Sequence, residues 1–372
     1  MKPSAMRRLA RIFFAGVGLV LLAIAVEVVL GWRCDLQGQT RPHIPQPEQR
    51  RSATEGIPGY ARPEDDTYLS YPEWYIVWSY EEKGDFQQNH LPSGFPYFAA
   101  VRQYWNSYRC IIRLTKGKYP FNFGEQVMLV VIGTSFSAEY ILKGAYENTL
   151  GRLSEWSSGH QPVEEDDYGY KVAREYADFV HIRPFYEFRF ARHAAGVWSG
   201  THLRGPHPLR KWERKLFLTL DYTIEAFYCW LIEKATHLTY GYEPADTYAW
   251  IENADEELFT QLPRTKKVKQ VGSQAFIVDI PRYQEFTAVG SALSAHGARF
   301  VEIAGNSQIT LSVVTPKLWK FEVQGPRPLF SAPVLTHPEL KRVVIGCEVD
   351  TLHSLLNSLR MGGMVVEHVY DY

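Results

Sequence analysis

The stretch Ala275–Ile303, AFIVDIPRYQEFTAVGSALSAHGARFVEI, decides the fold of the C-terminal part of this 372-residue chain. Ala275–Ile280 is a β-branched and aromatic run. Tyr283–His296 then brings Phe286, Val289 and Leu293 round at helical spacing, and Gly297 stops the helix before a second apolar run, Arg299–Ala304. The same order of signals returns as a strand over Arg342–Val349, a helix over Thr351–Arg360 and a strand over Met364–Tyr370. Gly297 with Arg299-Phe-Val-Glu302 matches Gly362 with Met364-Val-Val-Glu367 at one offset, and Phe286, Val289 and Leu293 fall over Leu352, Leu355 and Leu359. With Gln308–Val314 as a strand after the Gly305-Asn306 turn, the doubling predicts a ferredoxin-like β-α-β-β-α-β domain over 263–372. Pro316–Pro338 reads as an insertion with an extra strand at Lys320–Val323. That fold hosts many activities and selects none of them.

Upstream the pattern is helical, so the chain reads as α+β with a helical domain over 68–262. Ser70 and Glu73 have capping-box spacing before a helix that carries Trp74, Val77 and Trp78. Pro92–Pro96 makes a turn into a second helix with Phe98, Val101, Trp105, Tyr108 and Ile112, whose periodicity favours a bulky aromatic core over an aromatic belt or a stacking platform. Val127–Leu150 is a third helix, uncharged from Val127 to Ala138. Glu164–Asp167 is an acidic run suited to the N-terminus of a following helix.

At the other end, Arg7, Arg8 and Arg11 precede Ile12–Leu30, in which Glu27 is the single charge. That is the pattern of a transmembrane anchor in 1–33, because the apolar run continues past the cleavage site a signal peptide would use at Ala23–Ala25. The basic flank puts the N-terminal tip in the cytoplasm, which predicts a single-pass bacterial inner-membrane protein with a periplasmic body. Residues 34–67, rich in Pro, read as a linker. Leu216–Ile232 is short for a span and carries Asp221 and Glu225, which would cost about 5–7 kcal/mol in a bilayer. Paired with a return crossing at Val127–Leu142, it gives an alternative with three crossings.

A formal net charge of −1 excludes a general nucleic-acid binder, and 45% hydrophobic with 22% charged residues is ordinary for a globular body. Cys34, Cys110, Cys229 and Cys347 lie too far apart for a metal or redox motif, and domains this large favour free thiols over disulfides. No Glu-x-x-His, His-Glu-x-x-His, Walker A or Gly-x-Ser-x-Gly pattern occurs, so neither a metal nor a cofactor is expected.

Two constellations remain. Glu139, Lys143 and Glu147 step along one apolar helix, and Asp221 and Glu225 along another. If these helices face each other, Glu139, Glu147, Asp221 and Glu225 become candidate catalytic carboxylates in a low-dielectric layer, against the plainer reading of a salt-bridge network. Between His181 and Lys215, eight Lys or Arg stand against Glu187 and Glu213. Within this block Arg183, Arg189, Arg192, Arg204, Arg210 and Lys211, beside Phe185, Tyr186, Phe188 and Trp198, suit anionic lipid headgroups, unless the Glu164–Asp167 run neutralises them. The expected function is a binding or assembly factor for membrane lipid or an envelope protein. The alternative is a membrane-bound enzyme that acts on an amphiphilic substrate through the carboxylates.

Overall fold

The computed structural model describes residues 3–31, 34, 36–37, 54–239, 245–323 and 325–372, without the side chains of 3–14 and 235–239. The side chains of Arg7, Arg8 and Arg11 and the linker over 38–53 therefore lie outside what is described. The helices are α1 (Pro3–Leu30), α2 (Asp66–Leu69), α3 (Tyr71–Asn89), α4 (Tyr97–Thr115), α5 (Phe123–Tyr146), α6 (Arg152–Ser157), α7 (Glu164–Val180), α8 (Phe190–Ser199) and α9 (Pro208–Thr239). After them come β1 (Asp246–Glu252), α10 (Glu256–Gln261), β2 (Lys266–Gly272), β3 (Ala275–Pro281), α11 (Gln284–Ala295), β4 (Arg299–Ile303), β5 (Gln308–Pro316), β6 (Arg327–Val334), β7 (His337–Glu348), α12 (Val349–Met361) and β8 (Val365–Tyr370). The chain is thus mixed α+β, and it divides into two compact units. One is helical, 1–33 with 73–106 and 129–241. The other is Cys34–Pro72, Ser107–Met128 and Tyr242–Tyr372.

The second unit holds two antiparallel four-stranded sheets, ordered β2-β3-β1-β4 and β6-β7-β5-β8. The second order is the first with four added to every strand, so the internal repeat is real and longer than the two β-α-β segments legible in the sequence. The expectation of one ferredoxin-like sheet is corrected. β1, which precedes the expected boundary at 263, pairs with both β3 and β4. It takes the place between them that a single sheet of the two β-α-β copies would give to β7. β7 pairs with β5 and β6 instead. The extra strand of the 316–338 segment is β6, not Lys320–Val323.

Each helix packs on the edge strand of the other repeat, α12 on β4 and α11 on β8. Asn357 on α12 donates to the Ser294 carbonyl on α11 at 2.9 Å, and the Val369 N–H of β8 donates to Thr287 of α11 at 2.9 Å. Phe286, Val289 and Leu293 share one core with Leu352, Leu355 and Leu359, all at most 2% exposed. Both helices therefore bury the apolar stripe that their spacing announced.

Residues 54–67 are not a free linker. The Arg62 N–H donates to the Ala304 carbonyl at 2.9 Å, Glu64 accepts from the Gln308 N–H at 3.1 Å, and the Thr67 hydroxyl donates to the Tyr370 carbonyl at 2.9 Å. The capping box expected at Ser70 is not made either, because Ser70 has helical dihedrals at the end of α2 and its hydroxyl has no partner. Cys34 and Cys110 form a disulfide, which corrects the expectation of free thiols, whereas Cys229 and Cys347 are free and buried.

In the helical unit the aromatics of α3 and α4 supply the core, apart from Phe98, which is 37% exposed. Trp74, Tyr75, Trp78, Tyr104, Phe136 and Tyr140 are each at most 5% exposed. Glu27 of α1, the lone charge of the N-terminal apolar run, accepts two hydrogen bonds from Arg102 of α4, at 3.0 and 3.2 Å. Among the described residues, the helix long and apolar enough to cross a membrane is Phe123–Ser157, with 39% of its most apolar window buried. Ala15–Leu30 is a shorter apolar helix.

Candidate functional site

α5 and α9 run antiparallel, and the i, i+4 spacing of their charges turns both sets into one interface. The Lys143 ammonium stands between three carboxylates, 2.8 Å from Glu139, 3.1 Å from Asp221 and 3.2 Å from Glu225. All four side chains are 13–16% exposed. Tyr80 of α3 donates to Glu139 at 2.6 Å. Lys83, one turn on, places its ammonium over the Tyr80 and Tyr140 rings at 5.5 and 5.7 Å.

Burial opposes the charge on Glu139, but Lys143 and Lys83 outweigh it and hold that carboxyl below its usual range. Burial, with the adjacent Glu139 and Asp221 charges, pushes Glu225 up to about 7 although Lys143 opposes the rise. Burial, then the Lys143 charge, lowers Lys83. Two carboxyls bound to one lysine are thus driven apart, one ionised and one exchanging its proton near neutrality, which is the arrangement acid–base chemistry uses.

The fourth candidate, Glu147, does not join this cluster. It begins a π-helical turn, Glu147–Gly151, between α5 and α6, and pairs with Arg214 at 2.7 Å. Its second carboxylate oxygen is buried without a hydrogen bond, in space that a Cβ on Gly151 would fill. Such turns are frequent at functional sites. Arg214 also meets Asp166 at 3.2 Å.

A cavity of about 60 Å³, room for a few waters, joins all four candidate carboxylates with Lys83 and Arg214. Its ionisable lining comprises Glu139, Glu147, Asp166, Asp221 and Glu225 against Lys83, Lys143 and Arg214. Asp166 is also paired with Arg210, and Glu225 exchanges its proton near neutrality, so the lining is close to balanced in charge. Among the described residues no group of three His, Cys, Asp or Glu is arranged to hold a metal. Where three carboxylates do converge, the Lys143 ammonium fills the centre.

The basic block is divided. Arg210 is fully buried, with Asp166 at 2.7 Å and Glu213 at 3.1 Å, and Lys211 is 3% exposed, with Glu164 at 2.8 Å and Glu165 at 2.9 Å. Neither reaches an external anion, because the acidic start of α7 neutralises both. Glu164 is held at about 2, first by the hydrogen bond from Lys211 and then by those from the His202 backbone and ring. Arg183, Arg189, Arg192 and Arg204 are exposed, as are Ile182, Trp198 and Leu203.

Lys83, Tyr80, Arg214 and Asp166 are site residues that sequence reasoning missed. The first two lie on a helix whose apolar spacing marked it as core, and Asp166 read as a helix N-terminus. Its carboxylate does accept the Val163 N–H at 3.1 Å while it binds Arg210. Comparison with protein-family models, curated proteins and solved structures finds no match to this chain.

Proposed function

We propose that the chain is an inner-membrane protein of the bacterial envelope, anchored by α1 with its body on the periplasmic side, and that it acts as a binding or assembly factor for membrane lipid or an envelope partner. The observation that carries this reading is the exposure of Arg183, Arg189, Arg192 and Arg204, which are interspersed along the chain with the exposed Ile182, Trp198 and Leu203. Cations flanked by apolar side chains suit the headgroup region of an anionic bilayer. The Cys34–Cys110 disulfide supports the outer side, since it falls just past the end of α1 opposite the basic flank, and disulfides persist in oxidising compartments. The test is the lipid that co-purifies with the full chain. Replacing the four arginines by Gln is expected to lower the anionic share several-fold; an unchanged share removes the reading.

A second reading is favoured by the cavity. A membrane-bound enzyme on an amphiphilic substrate would use Glu225 as the proton donor or acceptor, with Glu139 and Asp221 fixing Lys143. An Asp221→Asn chain that accumulates normally but fails to complement a deletion strain supports this reading, and full complementation removes it.

A further inference from the structure

The outward faces of α5, α7 and α9 are of two kinds. Along α9, every exposed position from Leu209 to Leu231 is uncharged, and Thr223 is the one polar residue among them. Leu216, Leu220, Ile224 and Phe227 are 58, 60, 57 and 64% exposed. Their three- and four-residue spacing confines them to one stripe, while Arg210, Arg214, Lys215, Asp221 and Glu225 face inward and are paired.

α5 repeats the arrangement. Its exposed positions from Phe123 on, through the π turn to Leu150, are uncharged, and Arg152 is the first exposed charge. The two helices meet through Ser135–Tyr228, Lys143–Asp221 and Tyr146–Glu213, so their uncharged rows flank one interface.

α7 is the contrast. It exposes Glu164, Asp167, Lys171, Glu175 and Asp178, the pattern of a helix in water. It packs on Lys211, Lys215 and Leu218 of α9, the side turned away from the apolar stripe. One unit thus presents water-adapted and water-averse faces on opposite sides, and the apolar residues of the second are aligned in rows instead of scattered singly.

We propose that the apolar rows of α5 and α9 lie in the plane of the membrane, in contact with lipid acyl chains, while α7 faces water. The helical unit is then immersed along one side instead of standing off from the bilayer on a tether. The charged outer face of α7 argues against full crossing by α9, because α7 runs alongside it and its exposed acids would stand at the depth of the hydrocarbon. Immersion of one apolar face by roughly 5–10 Å is what amphipathic surface helices achieve. The inference rests on the membrane residence proposed above and adds where and how deeply the unit is held.

The test is a nitroxide at Leu216→Cys, Leu220→Cys, Ile224→Cys or Phe227→Cys in the full chain, with Cys229 and Cys347 replaced by Ala, in nanodiscs. Lys171→Cys is the water-facing control. In-plane immersion predicts that all four α9 sites favour oxygen over a polar nickel relaxer several-fold relative to position 171, at one common shallow depth. A depth that rises to a midpoint and falls again along α9 means a crossing and overturns the proposal. Exclusion of both relaxers means a protein partner or a second copy, and nickel access equal to position 171 means water. Either result overturns it too. Membrane fractionation of the same samples separates these failures from a failure of anchoring.

Discussion

Lys143 is the residue on which the helical interface turns. Its ammonium is the shared partner of Glu139, Asp221 and Glu225, and breaking a buried pair from one side leaves uncompensated charge. Lys143→Met is expected to cost about 3–5 kcal/mol in chemical denaturation of the full chain in detergent, with Lys143→Arg recovering part of it. A Met variant as stable as wild type contradicts the geometry. Glu225 sets a pH dependence. Burial, with the adjacent Glu139 and Asp221 charges, pushes it up to about 7, so the fold favours the protonated form. The stability it contributes is complete below about 4.5 and is lost as the pH rises through 7. Glu225→Gln, which mimics the neutral acid, is therefore expected to gain melting temperature over wild type between pH 5 and 9. A difference that shrinks over that range contradicts the assignment.

At the scale of elements, close approach fixes the helical core. A Cβ on Gly133 of α5 would overlap the Tyr104 ring, whose hydroxyl donates to the Leu129 carbonyl at 2.5 Å. Gly133→Ala is expected to cost about 1–3 kcal/mol, and less in a Tyr104→Leu background, as read from a double-mutant cycle. Equal costs in both backgrounds would remove the contact as the cause.

The elements differ in how far they could be read from sequence. α11 and α12 were legible because each buries one periodic apolar face, and α5 and α9 because their charges step at helical spacing along apolar runs. The meeting of Glu139 and Lys143 with Asp221 and Glu225 was legible as a condition, since i, i+4 spacing fixes a face but not what it faces. β1 was not, because Asp246–Glu252 alternates without the glycine punctuation that marks its copy, and losing one strand turned two sheets into one. Arg210 and Lys211 looked like surface charge because their partners, Glu164, Glu165 and Asp166, lie more than forty residues away along the chain.

At the scale of the whole molecule, sidedness and thiol chemistry are linked. The Cys34–Cys110 bridge closes a loop of 76 residues, for which chain entropy predicts about 4.5 kcal/mol of stabilisation. Reduction is expected to lower the denaturation midpoint accordingly, and a midpoint indifferent to reductant would show that the bridge does not constrain the fold. Cys347 is pushed up to about 12 by burial and stays a thiol. It is expected to resist alkylation until the chain unfolds, when mass spectrometry finds it modified.

In the placement proposed above, a basic N-terminal tip, an apolar helix and an oxidised cysteine pair set the body on the outer face of the inner membrane. Alkaline phosphatase folds to activity only where its own disulfides form, so its activity when fused after Tyr372 of the full chain tests that placement most directly. Outer-face placement predicts an active, membrane-bound fusion. An inactive fusion that accumulates in the membrane, with its phosphatase cysteines reduced, would contradict it.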